Sequence, residues 1–240
     1  MMPANFVLVH GAWHGGWCWD RVATGLRAQG HACFAPTLRG LAHRCAALTP
    51  TLDADDHVED VAGLIEALDL QRVVLVLHSY AGLLGPALQA RLGQRIVHQC
   101  FVEAVLPAPG QCMLDLLVPA AAQRYLLAVQ EHGNGWRLPP PDPAQFHLGG
   151  AVAADDIARR LTPHPWRSFT TPVRAAQADV LAHAGSYLLA SDRDPQPYAR
   201  FAAAAEAAGW PVTRMPGGHL LMLTRPAALT GHLLSLATPS

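Results

Sequence analysis

The run Val73-Val74-Leu75-Val76-Leu77-His78-Ser79-Tyr80-Ala81-Gly82 constrains this chain more than any other segment. Its β-branched and aliphatic residues continue without a polar break to His78, as in a strand buried on both faces of a parallel sheet. A serine follows, and then the small residues Ala81 and Gly82, so the strand is expected to turn at once into a helix with Ser79 at the apex. There the serine oxygen projects from the carboxyl edge of the sheet. The next backbone N–H groups lie at a helix N-terminus, where they can meet an anion. The usual form of this turn is G-x-S-x-G, but Leu77 and Ala81 stand at the two glycine positions. Leu77 brings a branched side chain to a place of close strand–helix approach. Pro86 falls in the expected second helical turn, where a missing N–H predicts a kink.

The rest of the chain supplies a sheet for that strand. Apolar runs at Phe6–His10, Ala32–Pro36, Arg72–Leu77, Gln99–Ala104, Ser186–Ala190 and Val212–Met215 read as strands. Helical patterns separate them, over Trp17–Gln29, Leu52–Leu68, Ala81–Leu92, Pro197–Ala208 and Pro226–Ser235. This alternation predicts an α/β fold with a mostly parallel sheet of about six strands flanked by helices. Between Pro107 and Pro172 the alternation stops. One helical segment (Met113–Gln130) is followed by Gly133-Asn134-Gly135 and a proline-rich stretch, with no clear strand. Residues 1–106 and 173–240 are therefore expected to form the core, and 107–172 a small helical cap over the strand ends. Open α/β sheets bind their ligands at that edge.

Composition narrows the function. Hydrophobic residues are 51% of the 240, which fits one globular domain with a sizeable core. A net charge of −1 gives no surface for nucleic acid. The five cysteines follow no metal or disulfide spacing and read as buried thiols in a reducing compartment. The first residues lack a basic stretch followed by an apolar one, and no apolar run is long enough to span a membrane. The expected setting is the cytoplasm, with no membrane partner; a homodimer is the assembly left open.

Nucleophilic catalysis by serine needs a base, a carboxylate to orient the base, and donors for the oxyanion. His219 follows Gly217-Gly218 just past the last expected strand and is the candidate base, with a pKa of about 6–7.5. Asp192 directly follows the strand ending at Ala190-Ser191 and is the preferred carboxylate, with Asp194 as its rival. The segment Val9-His10-Gly11-Ala12-Trp13-His14 ends a neighbouring strand in a glycine turn, so the Ala12 N–H can join that of Tyr80 as an oxyanion hole. His10 and His14 share a helical i,i+4 spacing, but Gly11 and the turn break the helix that a metal pair needs, so no metal is expected. No cofactor is expected either. His78 is expected to pack beside the nucleophile. Trp13 and Trp136, on loops, are expected to face the pocket, and Arg124, Arg159 and Arg160 to be solvated.

These segments together resemble the α/β-hydrolase superfamily, in particular small bacterial esterases related to plant methylesterases and hydroxynitrile lyases. The likeness runs from Val9-His10-Gly11-Ala12-Trp13-His14-Gly15-Gly16-Trp17 through Thr37-Leu38 and Gly40-Leu41, and His57-Val58-Glu59-Asp60-Val61. It continues to His78-Ser79-Tyr80-Ala81-Gly82, Asp192-Arg193 and Gly218-His219. It implies Ser79 as nucleophile, His219 as base, Asp192 as orienting carboxylate, and Ala12 and Tyr80 as oxyanion donors. The implied substrate is a small carboxylic ester. Some members of the branch are similar to esterases that hydrolyse carbamates. Plant lyases of the family carry a threonine after the first strand and a lysine after the catalytic histidine. Gly11 and Leu220 occupy those positions here and complete the expected pocket, which argues against a lyase. A binding protein with little turnover is the remaining alternative, suggested by Leu77 and Pro86.

Overall fold

The computed structural model describes residues 4–150, 152–174, 179–194 and 196–237. Among the described residues eight strands run in chain order: β1 (Asn5–Val9), β2 (Ala32–Phe34), β3 (Val73–His78), β4 (Ile96–Val102), β5 (Arg137–Leu138), β6 (His164–Pro165), β7 (Gly185–Ala190) and β8 (Val212–Met215). Six of them form one sheet in the order β2-β1-β3-β4-β7-β8, and every pairing within it is parallel. All six residues of β3 are buried, as its unbroken apolar run requires. The chain moves outward from β1 to β2 and then returns across β1 to β3. The order therefore reverses between β1 and β3, and the crevice beyond their carboxyl ends is a natural binding place.

The helices are α1 (Asp20–Ala28), α2 (Ala54–Ala67), α3 (Gly85–Leu92), α4 (Pro119–His132), α5 (Ala154–Ala158), α6 (Arg167–Thr170), α7 (Ala199–Ala207), α8 (Leu221–Thr224) and α9 (Pro226–Ser235). Right-handed crossovers place α1 on one face of the sheet and α2 and α3 on the other, because the chain progresses in opposite directions across β1. Helix α2 starts on a reciprocal cap: Asp55 N–H donates to Asp53 Oδ1 at 3.1 Å, and Asp53 N–H donates to Asp56 Oδ2 at 3.1 Å. None of the helices among the described residues is long and apolar enough to cross a membrane.

One expectation is corrected next to β3. Pro86 does not kink a continuous helix, because the segment Ser79–Leu84 is a 3₁₀ turn and α3 begins only at Gly85. Pro86 thus sits in the first turn of an α-helix, where its missing N–H costs nothing. Leu77 is packed, as a leucine ending an aliphatic run is expected to be. It is fully buried, and its Cδ1 lies 3.0 Å from where a Cβ on Gly85 would stand. The glycine that admits Leu77 lies eight positions later in sequence. Close approach of the turn itself is assigned to Gly82, where a Cβ would meet Val105 O at 2.1 Å.

Residues 107–172 lie between β4 and β7 and contain α4, α5 and α6. A strand pair was not expected there, yet β5 and β6 form a short antiparallel one, two residues each. Trp13 fastens this insertion to the loop after β1. Its Nε1–H donates to Leu138 O at 3.1 Å, and Thr162 N–H donates to Trp13 O at 3.0 Å. Helix, strand pair and loop are thereby held over the β1–β3 crevice.

Candidate active site

Ser79 adopts a left-handed backbone, φ 55°, directly after β3. For a residue with a side chain this costs on the order of 1–3 kcal/mol, and it persists where neighbours over-determine the turn. Here Val105 N–H donates to Ser79 O at 3.2 Å, and Gly82 lets the turn press against the segment after β4. Trp13 (φ 65°) and Glu103 (φ 47°) share this unusual conformation, so three strained residues ring one site.

His219 follows β8 on a loop that only glycines allow. Gly217 has φ 145°, and a Cβ on Gly218 would lie 2.0 Å from His147 O. His219 N–H donates to Phe146 O at 3.0 Å, which ties the loop to the insertion. The imidazole Nε2 is 3.0 Å from Ser79 Oγ. Tyr198 stacks on the ring at 5.1 Å between centroids and 10° between planes, and Phe146 stacks at 6.2 Å and 15°. Burial first, and the Arg193 guanidinium second, hold this imidazole well below the ordinary histidine range. That is lower than the sequence suggested. The ring is neutral at pH 7 and can accept a proton.

Asp192 does not face His219. The carboxylate that does is Glu103, the first residue after β4, whose Oε2 lies 3.3 Å from His219 Nδ1. Its burial is complete and its oxygens are satisfied. Oε1 accepts from Ala190 N–H at 2.7 Å and Gln196 Nε2 at 3.1 Å, and Oε2 accepts from Arg193 Nη1 at 3.0 Å. Burial pushes the Glu103 carboxyl upward, while the Ala190 N–H and Arg193 draw it back. Tyr187 locks the next residue from both sides: Ala104 N–H donates to Tyr187 Oη at 3.1 Å, and the phenol donates to Ala104 O at 2.5 Å.

Asp192 is exposed. Its N–H donates to Gly217 O at 3.1 Å, its Oδ1 accepts from Ser191 Oγ at 3.1 Å, and it borders a separate hollow with Gly217, Thr224 and Arg225. Asp194 lines the central cavity without a hydrogen bond to His219 among the described contacts. The side chain that this strand end sends to the imidazole is that of Arg193, a cation, so the anion comes from the adjacent strand. One signal for Glu103 was present in the sequence. An acidic residue inside Cys100-Phe101-Val102-Glu103-Ala104-Val105-Leu106 is costly to bury without a purpose.

On the other side of Ser79, Gly11 permits contact that no other residue would allow. A Cβ there would stand 2.8 Å from Ser79 Cβ and 2.9 Å from His78 Nδ1. Ala12 and Tyr80 border the same cavity as Ser79 and His219. Tyr80 is the second residue of its turn, so its N–H has no acceptor within the turn. Two histidines fix the glycine loop. His10 Nδ1–H donates to Gly11 O at 2.8 Å while its Nε2 accepts from Leu38 N–H at 3.0 Å, and His14 Nδ1–H donates to Ala12 O at 2.7 Å. Burial lowers their pKa values to about 3 and about 4, which keeps both neutral. Among the described residues no group of three His, Cys, Asp or Glu side chains could hold a metal ion.

The cavity over Ser79 measures about 370 Å³ and is walled by Trp13, Met113, Leu116, Tyr125, Phe146, Phe169 and Phe201, among others. Of the expected pocket residues, Trp13 lines it. Gly11 lies behind Ser79. His78 is buried and donates its Nε2–H to His219 O at 3.0 Å. Leu220 is fully buried in the core. Trp136 lies outside the cavity under the Arg137 guanidinium, 5.0 Å from its ring, with its carbonyl accepting from Trp166 N–H. The pocket reading is corrected for Gly11, His78 and Leu220 because adjacency in sequence to a site residue does not turn a side chain toward the site, and for Trp136 because a loop position does not either; His78 packs beside the catalytic pair, as expected. Of the three arginines, Arg124 borders the cavity mouth, Arg159 pairs with Asp156, and Arg160 lies over Trp17.

A family model described as the alpha/beta hydrolase family matches residues 6–231. The carbendazim hydrolyzing esterase of Nocardioides sp. (strain SG-4G) is 32% identical over 243 residues, spanning 97% of this chain and 99% of that one. Methyl jasmonate esterase 1 of Vitis vinifera is 36% identical over 106 residues, 44% of this chain and 41% of its own length. Among solved structures, an extracellular alpha/beta-hydrolase from a Paenibacillus species superposes with a TM-score of 0.83 at 22% identity, covering 99% of this chain and 100% of that one. Tomato methylketone synthase I, complexed with 2-tridecanone, superposes with a TM-score of 0.80 at 19% identity over 99% and 98% of the two chains. At such identities the structural likeness speaks for the fold.

Proposed function

This chain belongs to the alpha/beta hydrolase family and is a carboxylic ester hydrolase, and from that premise we propose that it cleaves a small, largely apolar ester through an acyl-enzyme on Ser79. The observation that carries the reading is the chain of contacts Ser79 Oγ–His219 Nε2 and His219 Nδ1–Glu103 Oε2 at the floor of an apolar cavity. Neutral His219 takes the serine proton as Oγ attacks the carbonyl carbon. Glu103 holds the Nδ1–H tautomer and offsets the imidazolium charge that forms. The Ala12 and Tyr80 N–H groups receive the developing oxyanion. His219 then protonates the departing group and activates a water that releases the acid. Residues 107–172 act as the cap that excludes bulk water and shapes the acyl site.

A carbamate would use the same groups with a poorer leaving group. The full-length likeness to a carbendazim hydrolyzing esterase favours including carbamates in the substrate class. The lyase alternative gains no support. Gly11 leaves no room for a side chain, and Leu220 is buried in the core instead of presenting a cation. Labelling with a fluorophosphonate, followed by intact mass, should give one adduct that Ser79→Ala lacks. Ser79→Ala should also lose roughly 10⁴-fold or more in kcat/KM on chromogenic esters. An unlabelled, inactive wild type across rising acyl lengths and carbamates would return the reading to that of a binding protein.

A further inference from the structure

Tyr198 was singled out by no sequence motif, yet its hydroxyl lies 3.3 Å from Ser79 Oγ in the cavity wall. Its placement is built rather than incidental. Tyr198 N–H donates to Gln196 Oε1 at 3.0 Å, and Gln196 Nε2 donates in turn to Glu103 Oε1 at 3.1 Å and Ala190 O at 2.6 Å. The Arg193 guanidinium stands 5.6 Å from the phenol ring. The carboxylate that faces His219 therefore also anchors the turn carrying Tyr198.

The direction of the hydrogen bond follows from counting protons. In the tautomer that can act as base, Ser79 donates its only proton to His219 Nε2, so the phenol must donate to Ser79 Oγ. Burial pushes the Tyr198 phenol above its ordinary range, and it remains a donor throughout. Once Oγ bonds to the acyl carbon its lone pairs are drawn toward that carbon, and the phenol is released to another acceptor. Sheet order decides which one. Ala12 comes from the β1 side of Ser79, whereas Tyr198, like His219, comes from the β7–β8 side. Its ring stacks parallel on the imidazole, and its hydroxyl and His219 Nε2 both reach Ser79 Oγ, at 3.3 and 3.0 Å.

We infer that Tyr198 is a further catalytic donor, whose hydroxyl hydrogen-bonds to the leaving-group oxygen or nitrogen as its bond to the acyl carbon breaks. The bonding pair passes to the leaving atom, the proton comes from His219 Nε2–H, and Tyr198 keeps its own proton. The inference rests on the acyl-enzyme reading. It implies that cleavage of substrates with poor leaving groups, such as alkyl esters and carbamates, depends on this donor more than cleavage of activated aryl esters does.

The test compares wild type with Tyr198→Phe, which retains the ring stack, on an ethyl ester and a p-nitrophenyl ester of the same acid. The expected loss in kcat/KM on the ethyl ester is about 10- to 100-fold, as for one hydrogen bond to a developing charge, and about tenfold greater than on the aryl ester. An equal loss on both esters, no loss on either, or a larger loss on the aryl ester overturns the inference, since a merely structural role would not depend on the leaving group. Ser79→Ala run in parallel separates the two readings. If it keeps full activity, the acyl-enzyme itself is refuted, whatever Tyr198→Phe does.

Discussion

The two sides of Ser79 are built by different rules. On the β1 side, the parts are backbone: the glycine turn at Gly11, the Ala12 N–H, and the left-handed turn at Ser79 itself. Their positions depend on local conformation, so small residues at fixed places in the sequence are obligatory. A Cβ on Gly11 would strike Ser79 Cβ at 2.8 Å. On the β4–β7 side, the parts are side chains converging on His219 Nδ1. That nitrogen needs a carboxylate oxygen, and either neighbouring strand end can send one. Here β4 sends Glu103, while the end of β7 sends Arg193 to pair with it at 3.0 Å. The backbone side is fixed by small residues at set positions, and the side-chain side by which strand end supplies the acceptor and which the cation.

The sharpest way to break that contrast is to remove each carboxylate in turn. Glu103→Gln should lower kcat/KM by roughly 10³- to 10⁴-fold, because the amide no longer stabilises the imidazolium or its tautomer. Asp192→Asn, an exposed change, should stay within about twofold. Steady-state kinetics on one ester checks both. A smaller effect comes from Arg193→Gln. After burial, Arg193 is the next largest cause that depresses His219, ahead of His14 and His147. Protonated His219 cannot act as base, so kcat/KM falls as pH drops through its pKa, and wild type should hold activity below about pH 6.5. Losing the guanidinium raises that pKa and should move the acid limb upward by about one pH unit. An unmoved limb would mean that Arg193 serves only to hold Glu103. The smallest effect on activity belongs to Leu77→Gly. It should cost about 2–5 kcal/mol of stability through the cavity left. A melting temperature unchanged in Leu77→Gly would show that the leucine is strained instead of packed.

The same contrast explains what was legible in the sequence. All six strands of the main sheet could be read, since apolar runs of that length have few other uses in an α/β chain. Ser79, His219 and the Gly11 loop were visible because each sits in a short pattern of small residues whose spacing has a steric cause. Glu103 was missed because a carboxylate's reach depends on which way one side chain leaves a strand end, and on its register with β7, where Val102 pairs with Leu188. Asp192 looked better by position and points to solvent. Pro86 was misread for a local reason: the strand-to-helix turn contains a 3₁₀ segment, which moves the start of α3 to Gly85. Tyr198 and Gln196 carry no pattern at all, and only the convergence of α7 on the site brings them in.

The central claim is that the imidazole of His219 donates its Nδ1–H to Glu103. Proton NMR of the imidazole N–H region, on the intact protein at neutral pH, reads that bond directly. A hydrogen-bonded N–H resonance far downfield should be present in wild type, persist in Asp192→Asn and disappear or move upfield in Glu103→Gln. Loss of the resonance in Asp192→Asn, with its retention in Glu103→Gln, would contradict the account and return the carboxylate to β7.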